Sequence, residues 1–243
     1  MTTLMRITCI GHSGFAIETQ DATLIFDYYH DETQALTPIL ERAKRIFVFV
    51  SHGHQDHLNR DVILDWHKQY PVKQYIMANE CRHKIRHAMK TNPLPATFIH
   101  HDEDYTCPEL TVHAFDSTDT GVCFVISVNG YTIFHAGDFN CWHWKDNSTP
   151  QEVKKAVGDF RAILRKIAAY APHIDVAMFP VDPGMGSDFA MGAREFVHAT
   201  EVDLFIPMHM WGRDEQATQF ELYRNSQHGD YRHLKPGQSI TTK

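Results

Sequence analysis

The stretch Ser51-His52-Gly53-His54-Gln55-Asp56-His57 constrains this chain more than any other. It places three imidazoles and one carboxylate within six positions. Directly before it, Arg45-Ile46-Phe47-Val48-Phe49-Val50 is apolar and β-prone, with the length and flanks of a buried strand. The chelating side chains therefore stand where a core strand empties into a loop, which can gather them around a point without burying them in the sheet. His52 and His54 can converge from one face while Asp56 and His57 reach a second point beside it. Four such groups can serve two adjacent cations, the arrangement of two-metal hydrolases. The chain has 18 histidines, so a chance cluster has to be weighed, and matching partners elsewhere in the chain decide against it.

Those partners occur in order along the sequence. Leu24-Ile25-Phe26-Asp27 ends an early strand on a carboxylate, Tyr131-Thr132-Ile133-Phe134-His135-Ala136-Gly137-Asp138 ends another, and Asp203-Leu204-Phe205-Ile206-Pro207-Met208-His209 ends a third on an imidazole. With the His-rich loop, an HxHxDH pattern, they resemble the metallo-β-lactamase superfamily over nearly the whole chain. The resemblance implies an α/β fold, a four-layer αββα sandwich of two mixed β-sheets flanked by helices, with the metals at one edge. It implies that Asp27 steadies the metal loop without ligating. His52, His54 and Asp138 would hold one ion; Asp56, His57, Asp138 and His209 would hold the other, with Asp138 bridging. It also gives Asp56 a catalytic part, orienting the nucleophile or passing on its proton.

One motif departs from the family. The segment Val112-His113-Ala114-Phe115-Asp116-Ser117-Thr118-Asp119-Thr120-Gly121 should supply a further histidine ligand, but His113 lies several residues early, inside an alternating strand. Asp119 or Asp116 can substitute as an oxygen ligand, or the first ion is one protein ligand short. In this the chain resembles the ascorbate-6-phosphate lactonase-like branch, as it does in Ile10-Gly11-His12-Ser13-Gly14-Phe15. His12 and His143 are read as substrate contacts, and His143 also as a group that completes the depleted first site, with ordinary packing the competing reading for each. Trp211 is a third candidate for a pocket wall. His83 and His87, at helical spacing, have no carboxylate between them and read as solvated surface; Cys141 reads as a small packing residue.

The 243 residues, 43% hydrophobic, suffice for one large α/β domain over 1–243. A net charge of −7 argues against a nucleic-acid surface, which needs a basic field. Five cysteines without a CxxC pair suit a reduced, cytoplasmic setting, and neither a signal peptide nor a membrane span is visible. Strands are predicted at 4–10, 14–19, 22–27, 45–50, 73–78, 109–115, 121–128, 131–136, 174–179 and 203–208. Helices are predicted at 33–43, from Asn59 or Asp61 to Gln69, and at 79–90, 150–170, 190–201 and 214–226. The segment 91–108, with three prolines, reads as a loop. Asn129-Gly130 marks a hairpin turn. In 150–170, Val153, Val157, Phe160, Leu164 and Ile167 recur at helical spacing after a Ser148 or Thr149 cap and Pro150.

The expected activity is hydrolysis of a small-molecule ester, lactone or phosphoester by a metal-bridged hydroxide, since one zinc alone lowers the pKa of water from about 15.7 to about 7. Two divalent ions are expected, zinc first and manganese as the alternative, because a carboxylate in the depleted site would harden it. Phosphodiester cleavage, as by nuclease members, and metal or ligand binding without turnover are the competing readings.

Overall fold

The computed structural model describes residues 4–220 and 229–242. Its strands are β1 (Arg6–Gly11), β2 (Gly14–Glu18), β3 (Thr23–Phe26), β4 (Ile46–Val50), β5 (Val72–Ala78), β6 (Ala96–Ile99), β7 (Glu103–Thr106), β8 (Leu110–Asp116), β9 (Val122–Val128), β10 (Tyr131–His135), β11 (His173–Pro180), β12 (Glu201–Met208), β13 (Asp230–Tyr231) and β14 (Ser239–Thr241). The helices are α1 (Leu36–Arg42), α2 (Arg60–Ile63), α3 (Trp66–Gln69), α4 (Cys81–Thr91), α5 (Pro150–Tyr170), α6 (Met191–Ala199) and α7 (Asp214–Thr218).

Central strands such as β3 and β4 are buried at every position, so both of their faces are covered. The strands form two seven-stranded sheets, ordered β14-β1-β2-β3-β4-β5-β6 and β13-β12-β11-β10-β9-β8-β7. Both follow one plan. In the first, β14 through β3 pair antiparallel and β3 through β6 parallel. In the second, β7 through β10 pair antiparallel and β10 through β13 parallel. Helices flank the sheets in the αββα arrangement expected from the sequence.

Aromatic rings lock the two sheets together. Phe26 of β3 stacks on Phe49 of β4 at 4.8 Å and on His135 of β10 at 4.8 Å, and Phe49 meets Phe124 of β9 edge-on at 5.5 Å. Outside, Phe160 of α5 stacks on Phe139 at 4.9 Å, and Phe196 of α6 on Phe134 at 4.8 Å. The α5 start is set by a capping box between Thr149 and Glu152 with Pro150 in the first turn. At the predicted hairpin, Asn129 and Gly130 take φ of +51° and +83°, as a tight β-turn of this type requires.

Two sequence expectations change. Residues 91–108 are not a plain loop: they contain β6 and β7, the outermost strands of the two sheets on this side. Among the described residues each pairs along one edge only, and β7 is mostly exposed, so neither carries the apolar pattern of a core strand. The helix expected up to Gln69 is broken into α2 and α3. Tyr75 OH donates to the Ile63 carbonyl at 2.7 Å and Asn92 Nδ2 to that of Leu64 at 3.1 Å, occupying acceptors a continuous helix would use. The helix expected at 214–226 is seen as α7, and its part from 221 lies outside the described residues. No described helix is long and apolar enough to cross a membrane.

Phe49→Ala removes one ring from both the intra-sheet stack and the contact between sheets. It is expected to destabilise the fold by about 3–5 kcal/mol, read as a lower urea midpoint at unchanged denaturant dependence.

Candidate metal centre

The parallel halves of the two sheets end at a common edge. Asp27 follows β3, Ser51 to His57 follow β4, and Glu80 follows β5. From the other sheet, Asp138 follows β10, Asp182 follows β11 and His209 follows β12. Ligand sites in open α/β sheets lie beyond the carboxyl ends of strands in this way.

Asp27 organises the first side of this edge. Its fully enclosed carboxylate accepts hydrogen bonds from Ser51 N–H at 2.7 Å, Ser51 Oγ–H at 2.6 Å and His57 Nδ1–H at 2.7 Å. With the Ser51 hydroxyl donating to Asp27, its oxygen accepts from His52 Nδ1–H at 3.0 Å. Both imidazoles are thus fixed with Nε2 turned inward. Burial alone would raise the Asp27 pKa, but the His57 imidazole holds it below the usual carboxylate range.

Asp138 stands between the imidazoles. Its Oδ2 lies 3.3 Å from His52 Nε2, and its Oδ1 lies 3.1 Å from His57 Nε2 and 3.5 Å from His209 Nε2. One carboxylate therefore addresses both halves of the cluster. His52, His54 and Asp138 bring their donor atoms within 4.8 Å of one another, and so do His12, Asp56, His57 and His209. Asp27 comes as close to His52 and His57, but its oxygens are taken up by the hydrogen bonds above.

The electrostatics match that geometry. Burial and the neighbouring His57 lower His52 to about 4, leaving a neutral imidazole. His57 is opposed by burial, yet the Asp27 and Asp138 carboxylates push it up to about 10. Burial would raise Asp138 as well, but His57, His209 and His52 hold it far below the carboxylate range. The Nε2 atoms of His12, His52 and His57 and the Oδ1 of Asp138 are buried without a hydrogen-bond partner. Such groups are costly unless something satisfies them. Nitrogen and carboxylate donors converging from several sides fit a divalent transition-metal ion.

The surrounding backbone is held in unusual conformations. His12, Asp27, His209 and Trp211 have φ of +51°, +38°, +62° and +51°, each costing on the order of 1–3 kcal/mol for a non-glycine residue. Gly121, at φ +72°, lets the loop before β9 pack on the metal loop, since a Cβ there would lie 2.0 Å from the Ser51 carbonyl oxygen.

Of the residues singled out in the sequence, His52, His54, Asp56, His57, Asp138 and His209 come together, and His12 joins the second group. Trp211 is exposed and lies against His12 at 4.2 Å. Asp119 and Asp116 fall outside both donor groups. Asp119 is close enough to the centre that partial burial and the Asp138 carboxylate raise its pKa. His113 is turned to Asp104 at 2.6 Å and stacks on Tyr170. His143 is buried with Nδ1 at 2.9 Å from the Cys141 carbonyl and Nε2 at 3.4 Å from Asp188, so it braces the loop after Asp138.

Three positioning residues escaped the sequence reading. Ser51 relays Asp27 to His52, as described above. Asp182 places Oδ2 3.3 Å from His209 Nδ1. Glu80 accepts from Gly53 N–H at 2.8 Å and from Thr120 Oγ1 at 2.6 Å, tying the metal loop to the loop before β9. Asp182 carried a usable signal, being a carboxylate just beyond a strand end, as Asp27 and Asp138 are.

The model of the beta-lactamase superfamily domain matches residues 6–153, more than half of the chain. The chain belongs to this superfamily. Among its superfamily relatives is a UPF0173 metal-dependent hydrolase of Korarchaeum cryptofilum, 28% identical over 97% of this chain and 99% of that one. Another, of Desulforamulus reducens, is 27% identical over 84% of each. Igni18, a metallo hydrolase from Ignicoccus hospitalis, has a similar structure at TM-score 0.69 and 16% identity, covering 99% of both chains. CmlA, a diiron β-hydroxylase from Streptomyces venezuelae, matches at TM-score 0.69 and 14% identity over 99% of this chain and 54% of that one. These structural likenesses speak for the superfamily fold alone, which does not choose the reaction.

Asp27→Asn keeps the shape of the side chain but cannot accept all three hydrogen bonds. It is expected to lower metal affinity by about 10–100-fold, measured by competition with a chromophoric chelator.

Proposed function

We propose that the protein is a metal-dependent hydrolase of a small ester, lactone or phosphoester, acting as one domain with two divalent ions. The reading rests on the inward, unpartnered Nε2 atoms of His12, His52 and His57 around the Asp138 carboxylate, and on relatives named as metal-dependent hydrolases. His52, His54 and Asp138 would hold one ion, and Asp56, His57, Asp138 and His209 the other. When bound, such ions polarise a carbonyl or phosphoryl oxygen and make water more acidic. The nitrogen-rich donor set favours zinc, with manganese the alternative.

The protein's own groups supply position and charge. Burial opposes ionisation of Asp56, but His12 and His57 outweigh it and hold the carboxyl at about 2. Asp56 therefore stays an anion at neutral pH, suited to accept a hydrogen bond from an attacking water and align it. His54 is exposed and lines a cleft of about 540 Å³, together with Tyr29, Asn59, Arg60 and Lys84. We assign this cleft to the substrate. Asp61 also lines the cleft and lies 3.6 Å from Arg60 Nε, so Lys84 is the cation not offset by it; in a chain of net charge −7 one such cation favours a small anionic substituent over a nucleic acid. Trp211 and His12 line a separate cavity of about 230 Å³ that shares Tyr29 with the cleft. His143, braced inside its loop, would act through the loop rather than by touching substrate. A reduced, cytoplasmic setting suits the five free cysteines.

Zinc- or manganese-loaded protein is expected to turn over at least one member of a panel of aryl esters, lactones and aryl phosphoesters. Asp138→Ala should lower that rate by at least roughly 100-fold. Inactivity of the loaded wild type on all three classes would count against the reading. Lys84→Ala is expected to raise KM for anionic members of the active class while kcat holds; equal effects on neutral and anionic substrates would remove Lys84 from the site.

A further inference from the structure

The geometry points to His12 as an additional ligand of the second metal ion, which would make that site richer in protein donors than the first. The inference rests on the metallo-hydrolase reading and concerns a residue outside the ligand pattern set out from the sequence. His12 lies on the turn between β1 and β2, in a different part of the chain from every other donor. Its side chain is 6% exposed, and Nε2 sits 3.3 Å from Asp56 Oδ2. That nitrogen is buried with no hydrogen-bond partner. The ring lies 4.4 Å from that of His209 and 5.5 Å from that of His57, centre to centre. Its donor atom falls within 4.8 Å of those of Asp56, His57 and His209.

The backbone supports the placement. His12 has φ of +51° and His209 +62°, and His209 N–H faces the His12 carbonyl oxygen at 3.4 Å. Two strained residues from the two sheets are thus joined at the point where their imidazoles approach. A residue that only packed could relax this backbone; one that ligates has a reason to keep it. The second group then has His12, Asp56, His57 and His209 besides the shared Asp138, whereas the first has His52, His54 and Asp138. The ion expected is a divalent first-row metal of the zinc or cobalt type, which takes imidazole readily.

The test uses the full chain, stripped by chelation and titrated with cobalt(II), followed by calorimetry and visible absorption. Wild type is expected to bind two ions, one tightly. His12→Ala and His12→Gln are each expected to weaken the tight event by at least about tenfold and to change its cobalt ligand-field bands. Gln guards against a packing artefact, and urea midpoints report folding of both variants. Folded variants with wild-type affinity and spectrum would overturn the inference and return His12 to substrate contact. A wild type that takes up no cobalt would sink the metal reading itself, and this inference with it.

Discussion

The buried Asp27 carboxylate is the interaction on which the rest of the centre depends. A charge taken out of water is tolerated only when hydrogen bonds surround it. Asp27 accepts three, two from Ser51 and one from His57, and its Oδ2 also lies 3.9 Å from His135 of the other sheet. His135 is neutral in this setting: Nε2–H donates to the Ser13 carbonyl at 2.9 Å while Nδ1 accepts from Gly137 N–H at 3.2 Å. One carboxylate therefore fixes the end of β3, the start of the metal loop and the tautomers of His52 and His57. Because those imidazoles belong to different donor groups, the two groups share one anchor.

The fold was legible wherever apolar runs ended on a chelating residue. The β4 run into His52, the β10 run into Asp138 and the β12 run into His209 each put hydrophobic burial and ligand chemistry side by side. The long helix and the Asn129-Gly130 hairpin were legible for local reasons, a cap and a turn that need no distant partner. The edge strands β6 and β7 were not, because half-buried or exposed edge positions carry no apolar pattern, even though β7 pairs with the adjacent β8. The break between α2 and α3 was hidden because it depends on Tyr75 and Asn92 reaching back to carbonyls at 63 and 64.

The site divides in the same manner. Its donors could be read from residue type and position, but the residues that aim them could not. Ser51 has no signature beyond its place before His52, and Glu80 acts on Gly53 and Thr120 from a separate strand end. His12 was visible as a histidine on a glycine-flanked turn. Only the convergence of the two sheets brings it within 4.8 Å of the Asp56, His57 and His209 donor atoms rather than leaving it at the rim.

The imidazoles of the centre are not held alike, and this bears on where chemistry takes place. His57 is fastened through Nδ1 by Asp27, His52 through Ser51, and His209 faces Asp182. His54 is exposed, and among the described residues no hydrogen bond anchors its ring. Rigid donors favour tight, fixed coordination, whereas a loosely held donor lets coordination change as a substrate enters and a product leaves. The first site combines fewer donors, the least restrained imidazole and the opening onto the cleft that carries Arg60 and Lys84. The second is flanked by His12 and Trp211 and ringed by strained backbone. In the two-ion reading proposed above, holding falls to the second donor group and exchange to the first, with Asp138 the carboxylate common to both.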